Sequence, residues 1–184
     1  MWHWLFNAPW IVFAAWWVVR AFSTARAERA ENPRQRAAVL MLTAAGVLFF
    51  VKPPEPLSRA LWPSSTALFC VALAVEVAGI TFAIVAREYL GKMWSGRVTL
   101  KEDHRIIQSG PYRFVRHPIY TGVLTALLGV VAARGNPAAL LGFALIAAGL
   151  ARKIVAEEAL LRSHFGAAYD DYRKKVAAII PFIL

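Results

Sequence analysis

The sequence predicts an all-α, polytopic membrane protein with about five transmembrane helices and an amphipathic helix at its C-terminal end. Three observations predict it. Hydrophobic residues make up 59% of the 184-residue chain and charged residues only 17%, where a soluble domain carries roughly a quarter. Five apolar segments recur along the chain. Its basic residues gather in every second connection between them. The net charge is +10, a sign that suits either nucleic acid or an anionic membrane surface. With this hydrophobicity it points to membrane lipids as the partner and to no nucleic acid. The seven tryptophans suit the lipid–water boundary.

The first apolar segment covers about 4–22. No basic residue precedes it, the first being Arg20, so it reads as a transmembrane helix rather than a signal peptide. The second, about 37–51, and the fourth, about 118–133, are short against the ~17–20 residues a span needs. The third covers about 66–86 and the fifth about 137–156. Between the second and third, 52–63 holds four prolines and reads as an external loop. Arg134, Gly135, Asn136 and Pro137 join the last two segments. Gly ends a helix and Pro starts one, so this is a tight antiparallel hairpin. Lys and Arg number five, seven and six in the first, third and final connections, but two and one in the others. The positive-inside rule puts the rich side in the cytoplasm and the N-terminus outside. Cys70 is the one cysteine; it allows neither an intrachain disulfide nor a cysteine zinc site, and is expected as a small buried apolar residue.

Beyond Ala156 the pattern becomes amphipathic. Leu160, Leu161, His164, Phe165, Ala168, Tyr169, Tyr172 and Val176 recur at helical spacing, with charges on the other faces and a break near Gly166. This helix can cover the long polar connection 87–117 or lie on the membrane surface. The chain divides accordingly into three N-terminal helices, 1–86, and a region 87–184 that holds the candidate chemistry.

That chemistry centres on GPYRFVRHPIYTG, residues 110–122. Pro118 biases His117 away from helix and suits the first helical position. Arg116 and His117 therefore sit at a helix N-terminus, whose free N–H groups attract an anion. Tyr112 and Tyr120 add hydroxyls and flat rings. The hairpin returns Glu157 and Glu158 to the same end. Carboxylates near a helix C-terminus oppose its dipole, which calls for a cationic ligand or an ion pair with Arg152, Lys153 or Arg116. Glu76 falls mid-span in the third segment, where an ionisable group is expensive and marks a functional hypothesis; it can line a tunnel, pair with Arg20, or bond a neighbouring helix. His3 and His164 lack companions at ligand spacing, so no metal is assigned.

From Arg87 to Pro181 the chain resembles the catalytic half of the isoprenylcysteine carboxyl methyltransferase family, within the wider group of membrane phospholipid and isoprenylcysteine methyltransferases. The spaced elements are His104 with Ile106 and Ile107, Gly110 and Tyr112, then Arg116, His117, Pro118 and Tyr120. Asn136 and Pro137 follow, then Glu157 and Glu158, and last Phe165, Gly166, Tyr169, Tyr172, Val176 and Pro181. The resemblance implies an integral membrane methyltransferase using S-adenosylmethionine, bound beneath the C-terminal cytoplasmic helix. It implies cofactor contacts at His104, Arg105, Ile106, Ile107, Tyr112, His117, Pro118, Ile119, Tyr120 and Glu157. Arg116, His117, Tyr120 and Glu158 are the candidates for the reacting groups. The family's substrate-contacting Arg corresponds to Lys153, with Arg152 beside it; Lys keeps the charge but loses the bidentate fork. The lipophilic acceptor, entering from the bilayer, is thus open among an isoprenylcysteine-type carboxylate, a thiol, a phenol, an amine and a small isoprenoid acid. A carboxylate needs no base, whereas a thiol or phenol needs one, with His117, Tyr120 or Glu158 as candidates. Two other readings stand beside this: an NADPH-dependent reductase of the sterol type, which shares the His-Pro-x-Tyr stretch, and a non-enzymatic membrane subunit. The sequence sets no oligomeric state.

Overall fold

A computed structural model describes residues 4–21, 27–30, 32–94, 99–101 and 105–183. Helix α1 covers Trp4–Ala21, α2 Pro33–Val51, α3 Glu55–Ser58, α4 Thr66–Leu90, α5 Pro118–Arg134, α6 Pro137–Phe165 and α7 Ala167–Lys175. The chain is all-α apart from a short antiparallel ribbon of β1 (Ala27–Ala30) and β2 (Thr99–Lys101). Helices α2, α4 and α6 are long and apolar enough to cross a membrane; α1 and α5 are apolar but shorter. The outward faces carry Ile11, Val19, Met41, Val71 and Val155, each more than half exposed, as a lipid-facing surface requires. The protein is an integral, multi-pass membrane protein.

The helix ends follow local chemistry. Asn32, Ser65 and Asn136 cap α2, α4 and α6 by accepting from Arg34, Leu68 and Ala139 backbone N–H groups, as N-caps do. Pro33, Pro118 and Pro137 stand at first helical positions. Gly135 closes α5 in the left-handed conformation, φ 59°. The second span therefore starts at Pro33, not near Ala37: Asn32–Pro33 nucleates the helix ahead of its apolar run, and the resulting 19 residues reach about 28 Å, close to the ~30 Å core. The third span runs on to Leu90, past Arg87. The Arg87 side chain is buried, donating to the carbonyls of Gly91 (2.8 Å) and Arg20 (3.1 Å) and lying 4.3 Å over the Trp94 ring. The 52–63 loop contains α3 and ties to the hairpin: Leu61 N–H donates to Gly135 O (2.6 Å) and Trp62 Nε1 to Ala132 O (3.0 Å).

Small residues set the packing. A Cβ at Gly79 would lie 2.4 Å from the Ala126 nitrogen and 2.5 Å from the Gly122 carbonyl, so the α4 and α5 backbones touch. Gly46 and Gly142 do the same for α2 and α6, at 2.7 and 2.8 Å from each other's carbonyls. In lipid, where no hydrophobic effect drives helices together, close backbone approach supplies the association.

This packing corrects the expectation for Cys70, which is exposed. The α5-facing stripe of α4 runs through Ala72, Gly79, Ala83 and Ala86, and Cys70 lies off it beside exposed Val71. It also leaves Glu76 fully buried, with neither carboxyl oxygen hydrogen-bonded among the described residues. Arg20, the suggested partner, pairs instead with Glu88 at 2.7 Å. The ribbon joins the α1–α2 and α4–α5 connections, so the two basic connections share one face of the bundle.

Gly79→Ala should destabilise the protein by about 1–3 kcal/mol, the cost of overpacking a filled contact. A Cβ at Gly149 would meet the Thr43 hydroxyl at 3.2 Å and Leu42 Cβ and Val39 O at 3.4 Å, so Gly149→Ala should cost less. Thermal unfolding in one detergent, comparing both variants with the parent, checks the ranking.

Candidate active site

The start of α5 and the middle of α6 lie side by side at the end of the hairpin, and their polar groups meet there. Arg116 Nε donates to Glu158 Oε1 at 2.8 Å, and its NH2 lies 2.8 Å from the same oxygen. Arg116 NH1 donates to the backbone carbonyls of Arg173 (3.2 Å) and Val176. All three guanidinium nitrogens are thus engaged. Glu158 also faces His117 Nε2 at 3.2 Å and Arg173 Nε at 3.0 Å. The Arg173 contact is an ion pair without hydrogen-bond alignment, since Arg173 Nε has no hydrogen-bond partner.

Glu157, one residue earlier and about 100° around the helix, faces different groups. Tyr120 Oη donates to its Oε1 at 2.6 Å, and His117 Nδ1 lies 3.5 Å from its Oε2. Lys153, one turn before Glu157, holds its Nζ 5.6 Å from the centre of the Tyr120 ring. The His117 and Tyr120 rings are stacked, 5.6 Å between centroids and 9° between planes.

His117 is buried, with a carboxylate on each ring nitrogen. Burial alone pulls its pKa down, but hydrogen bonds and charge from Glu157 and Glu158 outweigh that, and the net shift is upward from 6.5. Two acceptors, one on each nitrogen, require both nitrogens to donate, which only the imidazolium does.

Residues from the C-terminal segment complete the wall. Gly166, at φ 53°, bends the chain between α6 and α7. Tyr169 and Tyr172 are buried on α7, and Tyr172 Oη donates to Tyr112 O at 2.5 Å. Burial raises the pKa of both, that of Tyr172 to about 12, so they stay neutral donors. Beyond α7 the chain runs beside 115–117. Val115 bridges to Ala177 in parallel, Arg116 N–H donates to Ala177 O (2.8 Å), His117 N–H to Ala178 O (3.0 Å) and Thr121 Oγ1 to Ile179 O (2.8 Å). Of the two alternatives for the amphipathic tail, it covers the polar connection.

Several expectations meet here and others do not. Arg116, His117, Tyr120, Glu157, Glu158 and Lys153 form one cluster. Pro118 and Ile119 are buried behind it, and Ile107 packs on the Ala86–Tyr112–Ile119 cluster. Ile106 is half-buried and Arg105 exposed; His104 lies outside the described residues. Arg152 is exposed, and among the described residues none of the cluster's ion pairs or hydrogen bonds involves it. Of the N–H groups at this helix end, that of His117 is taken by Ala178 O, and the Arg116 amide before it by Ala177 O. The glutamate alternative of an ion pair with Arg116 describes Glu158, while Glu157 pairs with Tyr120 and His117. Arg173 was not expected in the site. Its signal was the i, i+3, i+4, i+7 stripe Tyr169, Tyr172, Arg173, Val176, which puts one cation on the covering face.

Comparison with known proteins assigns the fold. Residues 67–163 match the model of the isoprenylcysteine carboxyl methyltransferase (ICMT) family. A probable protein-S-isoprenylcysteine O-methyltransferase of Oryza sativa subsp. indica is 34% identical over 112 residues, covering 60% of this chain and 53% of the rice protein. The protein-S-isoprenylcysteine O-methyltransferase of Schizosaccharomyces pombe is 41% identical over 83 residues, 45% of this chain and 35% of its own. The solved structure of a eukaryotic intramembrane Ras methyltransferase ICMT superposes with a TM-score of 0.56 at 25% identity, covering 85% of this chain and 55% of that one. The chain therefore spans about half the length of the rice protein it matches. With more than half of its own length matched, it belongs to the isoprenylcysteine carboxyl methyltransferase family.

Proposed function

We propose that this chain is an S-adenosylmethionine-dependent methyltransferase that esterifies a lipophilic carboxylate of the isoprenylcysteine type. Family membership supports methyl transfer, as do the names of the relatives. The observation that carries the choice of a carboxylate is the state of every candidate base. His117 lies between two carboxylates that favour its protonated form, Tyr120 donates a hydrogen bond to Glu157, and Glu158 is shared by Arg116, His117 and Arg173. A thiol or phenol must lose a proton to react; a carboxylate is already ionised.

The donor set fits a zwitterionic sulfonium. Glu157, anchored by Tyr120 and His117, offers a carboxylate to its positive groups, and the N-terminal end of the α5 dipole favours its carboxylate. Tyr112 and the half-buried Ile106 and Ile107 supply flat and apolar surface beside them. When bound, the cofactor supplies an electrophilic methyl group, which the acceptor oxygen takes as the sulfur leaves with the bonding pair. The protein's own share is alignment and exclusion of water. Lys153 orients the acceptor carboxylate as a point charge. Arg116 and Glu158 act as positioning residues, spent on fastening α5, α6 and the tail together. The C-terminal segment closes the site from water. The positive-inside rule supports a cytoplasmic site with the N-terminus outside, the acceptor entering from lipid. Residues 87–184 supply the site and 1–86 the membrane scaffold beside it.

Titration with S-adenosylmethionine tests the cofactor. Glu157→Gln should weaken binding about ten- to a hundredfold, the range of a lost charged hydrogen bond, while NADPH should not bind the parent; intact affinity in the variant would sink the assignment. A labelled-methyl assay tests the acceptor. A farnesyl-cysteine free acid should be methylated and its amide should not, with no rise in rate from pH about 6 to about 8 of the kind base catalysis gives. Methylation of a prenyl thiol in preference to the acid would overturn the carboxylate reading.

The His117 shift also predicts a pH dependence of stability. Its folded pKa is raised, so its contribution is fully present below about 6.5 and fades as pH rises through the folded value. The thermal midpoint of the parent should fall over that alkaline window, and His117→Asn should flatten the fall.

A further inference from the structure

On the outer flank of α4 lies an open groove of about 710 Å³, within the range of small-molecule sites. Its floor is Ala78, Phe82 and Val85 on α4, and its cytoplasmic end is Tyr89, Arg113 and Phe114. The groove sits outside the candidate active site. Tyr112 turns inward to Ala86 and Ile119, while its neighbours Pro111 and Arg113 line the groove.

Three features give it a specific chemistry. From Ala78 to Tyr89 the helix rises about 16 Å, half the ~30 Å hydrocarbon core and so the depth of one leaflet. Arg113 stands at the shallow end, exposed, with its guanidinium 4.5 Å from the Phe114 ring centre. No carboxylate pairs with it among the described residues, so a positive charge caps an apolar trough at headgroup level. The overhang is built rather than incidental. Gly110, at φ 58°, lets the loop fold onto the Tyr89 ring, whose carbons would lie 2.3–2.6 Å from any Cβ there.

We propose that this groove binds one anionic glycerophospholipid of the surrounding leaflet, an acyl chain along α4 and the phosphate at Arg113. Charge complementarity selects the headgroup, since a basic side chain near the surface attracts an anionic lipid and has no preference of this kind for a zwitterionic one. Tyr89 and Phe114, both close to half exposed, flank the phosphate level as interfacial aromatics do.

The test is native mass spectrometry of the full chain, released from nanodiscs of equal phosphatidylglycerol and phosphatidylcholine. The parent should retain phosphatidylglycerol about fivefold over phosphatidylcholine, the ratio that roughly 1 kcal/mol per surface cation gives. Arg113→Gln should bring the ratio near parity and Arg113→Lys should keep it. Val85→Trp, which fills the trough, should lower retention of both lipids. Equal retention of the two lipids by the parent, an unchanged preference in Arg113→Gln, or unchanged retention in Val85→Trp would overturn the proposal. The readout uses no cofactor and no methyl acceptor, so it stands or falls apart from the catalytic reading.

Discussion

The carboxylate of Glu158 is shared by three cations from two other parts of the chain: Arg116 and His117 at the entrance to α5, and Arg173 on α7. Removing such charges from water costs several kcal/mol per ion, recovered only where geometry is good and the remaining donors are satisfied. Here they are largely satisfied. The one Arg116 nitrogen left over from Glu158 reaches the carbonyls of both Arg173 and Val176. The same contact therefore joins the hairpin to the tail, and the tail to the loop that carries Tyr112. Loss of the Glu158 charge would leave Arg116 buried and unpaired, the expensive half of a broken ion pair, and would loosen every wall of the site together.

The apolar packing explains why that polar knot forms at one end of the bundle. Backbone contact through Gly79 and Gly122 fixes α4 against α5, and contact through Gly46 and Gly142 fixes α2 against α6. Each glycine contact is also a register mark, because sliding the helix would bring a residue with a Cβ against the facing carbonyl, where the structure has no room for one. With both pairs in register and a turn of two residues, Gly135 and Asn136, between α5 and α6, the depth of Glu157 relative to His117 is set before any charge is considered. The N-terminal helices are therefore not a separable anchor: α2 holds the helix that carries both glutamates.

Much of this was readable in the residues. The Gly135–Asn136–Pro137 turn, the His117–Pro118 start and the break at Gly166 each follow from local stereochemistry, and the structure has them where the sequence puts them. The pairing of basic connections anticipated the shared face that β1 and β2 mark. What was not readable depended on contacts between distant elements. The apolar run could not reveal that Arg87 would sit inside the fold, because its partners are a carbonyl from α1, a carbonyl after α4 and the Trp94 ring. Cys70 and Ala72 have similar hydropathy, and only the line of approach of α5 separates an outward position from an inward one. The roles of the two glutamates could not be separated either, since adjacent residues on a helix point about 100° apart and the direction of each partner is a tertiary fact.

That separation bears on chemistry. Glu158 faces cations and Glu157 a phenol and the His117 ring, so both carboxylates favour His117 in its protonated form rather than as a base. Sites that perform general base catalysis keep a base near neutrality. The proposed function gives this site a nucleophile that arrives ionised, with rate from orientation and from stripping water off the reacting anion. Both are served by a tail that closes over the cluster and by a bilayer that keeps the acceptor's apolar part out of water. On the proposed reading Lys153, over the Tyr120 ring, would neutralise the acceptor carboxylate without gripping it bidentately. It tolerates variation in the acceptor's headgroup more than an arginine fork would, so selectivity in this protein should lie chiefly in the apolar part of its acceptor.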